Sequence, residues 1–235
     1  VSPGNEMMGH QGGRTQRRDA AEAERLALGL DSDVLGRLAR YVELLVRWGR
    51  QLNLTGRAEA AVIVERQLPD GLVLGRELQL PGAGVVPPRL AMGTDRQAVS
   101  RVLDVGSGAG LPGLVVGLAR ADLELELVEP NHKRCAFLRT VVHELALARV
   151  TVRCAGVEQL PEERGAVACS RAVWSPAEWL ARGRTLVRPG GVVVLFGSRE
   201  RALPAGATRC VSFTLADGTP RVLGFYHRLP RDSEP

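Results

Sequence analysis

Hydrophobic positions along the chain keep two different periods. From Val34 to Trp48 they recur at helical spacing, at Val34, Leu35, Leu38, Tyr41, Val42, Leu45 and Trp48, with Arg and Glu on the opposite side. That pattern predicts an amphipathic helix running to about Arg50, capped by Asp31 or Ser32. Ala58 to Leu78 read as a second amphipathic helical region, kinked or split by Pro69. From residue 101 short apolar, β-branched runs alternate with helical segments. Strands are expected at Val102–Val105, Leu123–Glu129, Val150–Cys154, Ala166–Ser170 and Val192–Phe196. Helices are expected from Leu114, over His132–Leu147 and over Pro176–Val187, the last closed by Arg188-Pro189-Gly190-Gly191. Cys210–Leu215 and Arg221–His227 read as a hairpin around Ala216-Asp217-Gly218-Thr219. Alternation of this kind predicts an α/β fold, a doubly wound and mostly parallel sheet with helices on both faces, preceded by an N-terminal helical extension.

The two periods meet in Val102-Leu103-Asp104-Val105-Gly106-Ser107-Gly108-Ala109-Gly110-Leu111-Pro112-Gly113. A buried strand breaks into three spaced glycines, and Pro112 suits the first turn of the helix that follows. Glycines let a ligand approach the backbone, and a helix N-terminus offers free N–H groups. The dinucleotide fingerprint needs a glycine at position 111, where this chain has Leu111, and this disfavours a nicotinamide cofactor. The order Asp-x-Gly-x-Gly-x-Gly instead resembles motif I of the S-adenosylmethionine-dependent class I methyltransferases. Asp104 would repel a pyrophosphate but suits a sulfonium and an ammonium group. Glu129, ending the next strand, could accept hydrogen bonds from both hydroxyls of a ribose.

Composition adds little that is specific. The 235 residues are 45% hydrophobic, enough for a sizeable core, and the formal net charge of +5 is compatible with a nucleic-acid partner without requiring one. Aromatic residues make up 4%, so RNA contacts cannot rest on many stacking platforms. The cysteines at 135, 154, 169 and 210 lack any Cys-x-x-Cys spacing and are expected to be reduced core residues. With no secretory signal and no run long enough to span a bilayer, the expected compartment is the cytosol. His132 and His143 are eleven residues apart, too far for a metal pair, so no metal is indicated. Residues 1–20 are expected to form a disordered tail, 21–80 a helical cap, 81–98 a Pro/Gly-rich linker and 99–230 the cofactor-binding domain. Lys133 is the only lysine in the chain. With Arg134, and His132 beside them, it places positive charge close after Glu129, a candidate contact for RNA phosphate.

Further motifs extend the resemblance. Tyr41-x-x-Leu44-Leu45-x-x-Trp48, Asn53-Leu54-Thr55, the glycine stretch, Glu129, Lys133-Arg134 with Phe137-Leu138, Glu158 and Ser170-Arg171-Ala172 occur in order. Over residues 35–197 the chain thereby resembles the bacterial 16S ribosomal RNA guanine-N7 methyltransferase G family, also called the glucose-inhibited division protein B family. The resemblance implies a Rossmann-like class I fold with a seven-stranded sheet, S-adenosyl-L-methionine as cofactor, and 16S rRNA or the small ribosomal subunit as partner of a monomer. It implies a cofactor site made by Asp104, Gly106, Ser107, Gly108, Gly110 and Leu111, with Glu129 on the ribose and Val157 and Glu158 beside the adenine. Arg171 would stand at the methionine end or the target base, and Lys133 and Arg134 on RNA. Methylation at a guanine N7 needs positioning rather than a general base, so no catalytic acid or base is expected.

The chain also departs from that family's usual pattern. Glu65-Arg66-Gln67-Leu68-Pro69-Asp70-Gly71-Leu72 has Gln67 where the family usually has His and Gly71 where it usually has Ser. Val157 replaces an Arg, and Phe196 precedes Gly197 where a Lys is common. These departures leave open a methyltransferase of another substrate, or a cofactor-binding relative without activity.

Overall fold

The computed structural model describes residues 29–52, 59–78 and 101–229. The expected tail at 1–20, the linker at 81–98 and Asn53-Leu54-Thr55 lie outside them. The chain runs α1 (Ser32–Leu52), α2 (Ala60–Arg66), α3 (Leu68–Glu77), β1 (Arg101–Val105), α4 (Gly113–Ala119), β2 (Glu124–Val128) and α5 (His132–Glu144). It continues with β3 (Val150–Arg153), a 3-10 turn at Val157–Gln159, β4 (Gly165–Ser170), α6 (Pro176–Leu186), β5 (Val187–Ser198), β6 (Arg209–Thr214) and β7 (Pro220–His227). The strands form one seven-stranded sheet in the order β3-β2-β1-β4-β5-β7-β6. β1 to β5 are parallel neighbours, while β7 runs antiparallel to both β5 and β6. The sheet is therefore mixed, with the C-terminal hairpin supplying the antiparallel edge.

Local chemistry accounts for the element ends. Asp31 accepts a hydrogen bond from the Val34 N–H at 2.9 Å and so caps α1. The chain breaks between α2 and α3 at Gln67, with Pro69 in the first turn of α3, where its missing N–H costs nothing. Asn131 caps α5 through the Lys133 and Arg134 N–H groups, and Ser175 with Glu178 forms a capping box at α6. Strand β5 begins five residues before Val192, because Val187 already pairs with Gly165. The register then shifts across Pro189-Gly190-Gly191, where the φ of +76° at Gly190 suits glycine.

Helices are distributed unevenly over the two sheet faces. Helices α1 to α5 pack on one face in a continuous core that includes Tyr41, Leu45, Ile63, Leu74, Val115, Phe137 and Leu138. The N-terminal helices thus share a core with the sheet. The other face carries α6, whose Trp179, Leu180 and Leu186 pack on Leu103, Val105, Val193 and Leu195. Ion pairs tie the N-terminal helices to distant parts of the chain: the buried Glu77 of α3 meets Arg209 of β6, Arg66 of α2 meets Asp217 in the β6–β7 turn, and Arg40 of α1 meets Glu144 of α5. All four cysteines are free. Cys135 and Cys169 are core residues as expected, but Cys210 is exposed, on the outward side of edge strand β6. Among the described residues no helix is long and apolar enough to cross a membrane.

Candidate functional site

The glycine stretch forms a tight loop at the C-terminal end of β1, where open α/β sheets bind ligands. The N–H groups of Gly106 and Ser107 both donate to the Val128 carbonyl of β2, at 2.8 and 3.0 Å, and Gly110 N–H donates to the Ser107 carbonyl at 2.7 Å. Gly106, Gly108 and Gly110 all have positive φ, and a cis peptide joins Leu111 to Pro112. Gly108 faces open space: a Cβ built there would find only the Gly106 carbonyl, at 3.8 Å. Gly106 is covered from the β4 side, because a Cβ there would lie 2.5 Å from Val173, itself 48% exposed.

Asp104 does not face the open side. It is 1% exposed, and one carboxylate oxygen accepts from the Ser107 hydroxyl and from the Gly113 N–H at 3.0 Å. Burial pushes its carboxyl up to about 6 against the pull of these donors and of Arg171. These bonds hold the turn closed from inside. Ser107 is spent in the same bond, and Leu111 is buried in the core. Gly113 is essential to this packing, since a Cβ there would meet the Asp104 carboxylate and Leu127, each at 2.5 Å.

Glu129 joins the second strand to the loop. One of its oxygens accepts from Gly108 N–H at 2.9 Å and the other from Asn131 N–H at 3.0 Å. A carboxylate oxygen has two lone pairs, so each retains capacity for a hydroxyl donor. Opposite the glycine loop, the buried Tyr41 hydroxyl donates to the Ala109 carbonyl at 2.8 Å and fastens α1 to the loop. Burial holds the Tyr41 hydroxyl well above its ordinary range. Tyr41 looks in the sequence like one more member of an apolar helical stripe, and only its hydroxyl hints at the bond.

On the β3 side, Val157 and Glu158 lie on the 3-10 turn, Val157 half-buried against the α6-side core and Glu158 exposed. Lys133 is exposed and Arg134 half-buried in the first turn of α5, and neither forms an ion pair among the described residues. His132 turns toward β3, its Nδ1 3.4 Å from the Cys154 sulfur.

Arg171 follows β4 and turns to the N-terminal helices. It donates to Asp70 of α3 at 2.9 Å and to the Gln67 carbonyl at 3.4 Å. Asp70 is 4% exposed, so a buried carboxylate holds the guanidinium in place. This partnership escaped the sequence reading, although an acid among Leu68, Gly71, Val73 and Leu74 on a buried helix face was its signal. Arg171 lines an open cleft of about 1010 Å³ together with Arg66, Asp70, Ser175, Arg201 and Arg221. Phe196 also lines it, in place of the usual Lys, and Arg201 and Arg221 bring positive charge from other positions.

Two carboxylates and two neutral groups therefore surround the loop. Asp104 and Glu129 bind backbone N–H groups, while Tyr41 and the buried Cys169, whose thiol burial and Asp104 push well up, keep their protons. Such a site can bind and orient.

Residues 89–207 match the family model GidB, described as rRNA small subunit methyltransferase G. The ribosomal RNA small subunit methyltransferase G of Halorhodospira halophila is 37% identical over 177 residues, covering 75% of this chain and 76% of that protein. That of Chromobacterium violaceum is 38% identical over 170 residues, covering 72% and 73%. Among solved structures, a putative O-methyltransferase from Klebsiella pneumoniae shares the fold, with a TM-score of 0.56 over 91% of this chain and 99% of that one at 15% identity. The glycine loop, Glu129 and Arg171 all fall inside the matched stretch, and the chain belongs to the rRNA small subunit methyltransferase G family.

Proposed function

We propose that this protein is an S-adenosylmethionine-dependent methyltransferase of small-subunit ribosomal RNA that modifies N7 of a guanine. The observation that carries the reading is the Glu129–Gly108 hydrogen bond, which joins an acid at the end of β2 to a glycine loop with open space before it. In this reading Gly106 and Gly108 give the cofactor close access to backbone, Glu129 takes the ribose hydroxyls, and Val157 and Glu158 border the adenine. S-adenosylmethionine, when bound, supplies an electrophilic methyl group on a sulfonium.

The chain's own groups suit a nucleophile that needs no deprotonation. Guanine N7 presents a free lone pair, and the protonated Tyr41 and Cys169 fit a site that works by orientation. The cleft beside Arg171, with Arg201 and Arg221 unpaired in ion pairs among the described residues, supports an anionic polymer as substrate. In the same reading the protein acts as a cytosolic monomer without a metal ion, and Lys133 and Arg134 add phosphate contacts at the rim.

The test is incubation of the protein with S-adenosylmethionine and either 16S rRNA or small subunits, followed by mapping of N7-methylguanine. Gly108→Val serves as the control, because a β-branched side chain at a φ of +58° is strained and fills the open side of the loop. The parent should produce one N7-methylated guanine, and the variant should bind S-adenosylhomocysteine at least tenfold more weakly. Absence of N7-methylguanine in both substrates, or full cofactor affinity in the variant, would overturn the reading.

A further inference from the structure

On the sheet face that carries α6, the helix packs on β4 and β5. Strand alternation puts Arg101, Glu124, Glu126, Thr151 and Arg153 on this face as well, opposite the core residues Val102, Leu125 and Val150. Among the described residues no helix covers them. A parallel sheet is ordinarily buried on both faces by apolar side chains, so this polar stretch departs from the rule. An open groove of about 840 Å³ runs from here around the edge strand β3, where Arg139 of α5, Arg149 and Arg164 also line it.

The charges do not cancel. Five guanidiniums face the groove against the two carboxylates of Glu124 and Glu126, a surplus of three. Glu126, 3% exposed, is taken by Arg153 and by Arg164, the latter at 2.6 Å. Burial alone would push the Glu126 carboxyl up, but those two guanidiniums outweigh it and hold it below its ordinary value. Glu124 is reached only at longer range, 3.7 Å from Arg149 and 3.9 Å from Arg101. Arg139 and Arg149 are exposed and donate no side-chain hydrogen bond among the described residues, so their forked donors face solvent. At its upper end the groove reaches Cys154 and Ala155, two residues before the turn that carries Val157 and Glu158.

We infer that this groove is a second docking site of the protein, gripping the phosphate backbone of RNA along β3. The inference rests on the RNA substrate proposed above and adds a surface on the opposite side of the cofactor loop from the Arg171 cleft. A row of guanidiniums in a concave, polar groove fits a phosphate chain, where a lipid surface would call for an apolar anchor. Contacts of this kind set the position of the RNA and carry no sequence information.

The test is the double variant Arg139→Gln/Arg149→Gln, with both changes at exposed positions. Affinity for 16S rRNA should fall, and the slope of log affinity against log salt should become shallower by nearly two, at about 0.9 for each duplex phosphate that is no longer neutralised. Affinity for S-adenosylhomocysteine and kcat at saturating RNA should stay at the parent's values. Arg139→Lys/Arg149→Lys should restore most of the salt slope. An unchanged affinity and slope in the Gln variant, with a parent that binds and methylates RNA, overturns the groove alone. Loss of binding to assembled subunits with naked rRNA bound normally also overturns it, since the groove would then meet ribosomal protein. A parent that neither binds nor methylates RNA removes the functional reading and the groove's ligand with it.

Discussion

Asp104 shows how one residue can hold a glycine loop together from inside the core. Its carboxylate accepts the Gly113 N–H and the Ser107 hydroxyl, binding the start of α4 to the end of β1. The bond comes at the cost of burying a charge, and burial raises the carboxyl to about 6 from an ordinary 3.8. A group whose pKa is raised on folding stabilises the fold fully below its ordinary value and loses that contribution as the pH rises through the folded value. For Asp104 the window runs from about pH 4 to pH 6, with Arg171 and the Cys169 thiol as the facing groups. Asp104→Asn carries no charge at any pH. Its stability relative to the parent should therefore shift in its own favour between pH 4 and pH 7, by at most about 3 kcal/mol at about 1.4 kcal/mol per pH unit. Melting curves of both proteins across that range check it, and a gap that stays constant with pH would mean that Asp104 is not the titrating group. The sequence showed an acid at the end of a strand. It could not show which way the carboxylate turns, because that depends on a donor nine residues later in the chain.

Among the elements, the strands were legible because buried parallel strands are written as short apolar runs: the first four expected strands match β1 to β4 to within a residue at each end, while β5 begins five residues early. The packing of α3 on α4 was not legible, since nothing in the run Leu68 to Glu77 names its partner. It depends on Gly71: a Cβ there would lie 2.6 Å from the Val115 Cβ and 2.9 Å from the Pro112 carbonyl. Gly75, one turn later, is different, for its nearest neighbour would be the Ala119 Cβ at an ordinary 3.5 Å. The same substitution should thus act in opposite directions on one helix. Gly71→Ala should destabilise by about 1–2 kcal/mol, an overpacking cost offset partly by helix propensity. Gly75→Ala should stabilise by about 0.5–1 kcal/mol. Denaturant titrations of the two variants decide it, and a stabilised Gly71→Ala would show that α3 and α4 can slide apart freely.

For the molecule as a whole, the candidate site depends on parts of the chain that meet only through folding. Tyr41 reaches the loop from α1, Asp70 reaches Arg171 from α3, and Glu129 reaches Gly108 from β2. The glycine loop and Glu129 stood out in the sequence because each marks the end of a strand. The helical contributions did not, because Tyr41 and Asp70 sit in stripes that also serve as core. Arg171 raises the sharpest question at this scale, since it is at once a tie between the sheet and the N-terminal helices and a wall of the proposed substrate cleft. Removing it leaves the 4%-exposed Asp70 charged and without its ion-pair partner. Arg171→Ala should cost about 2–4 kcal/mol, below the range for a fully buried pair because the Arg171 side chain is 22% exposed. Adding Asp70→Asn removes the stranded charge, so the double variant should recover most of that stability. Methylation should remain low in the double variant if Arg171 also contacts the substrate, with the loss in kcat/KM for RNA and none in affinity for S-adenosylhomocysteine. Recovery of stability and methylation together would reduce Arg171 to a structural tie and leave the cleft's cationic work to Arg201 and Arg221.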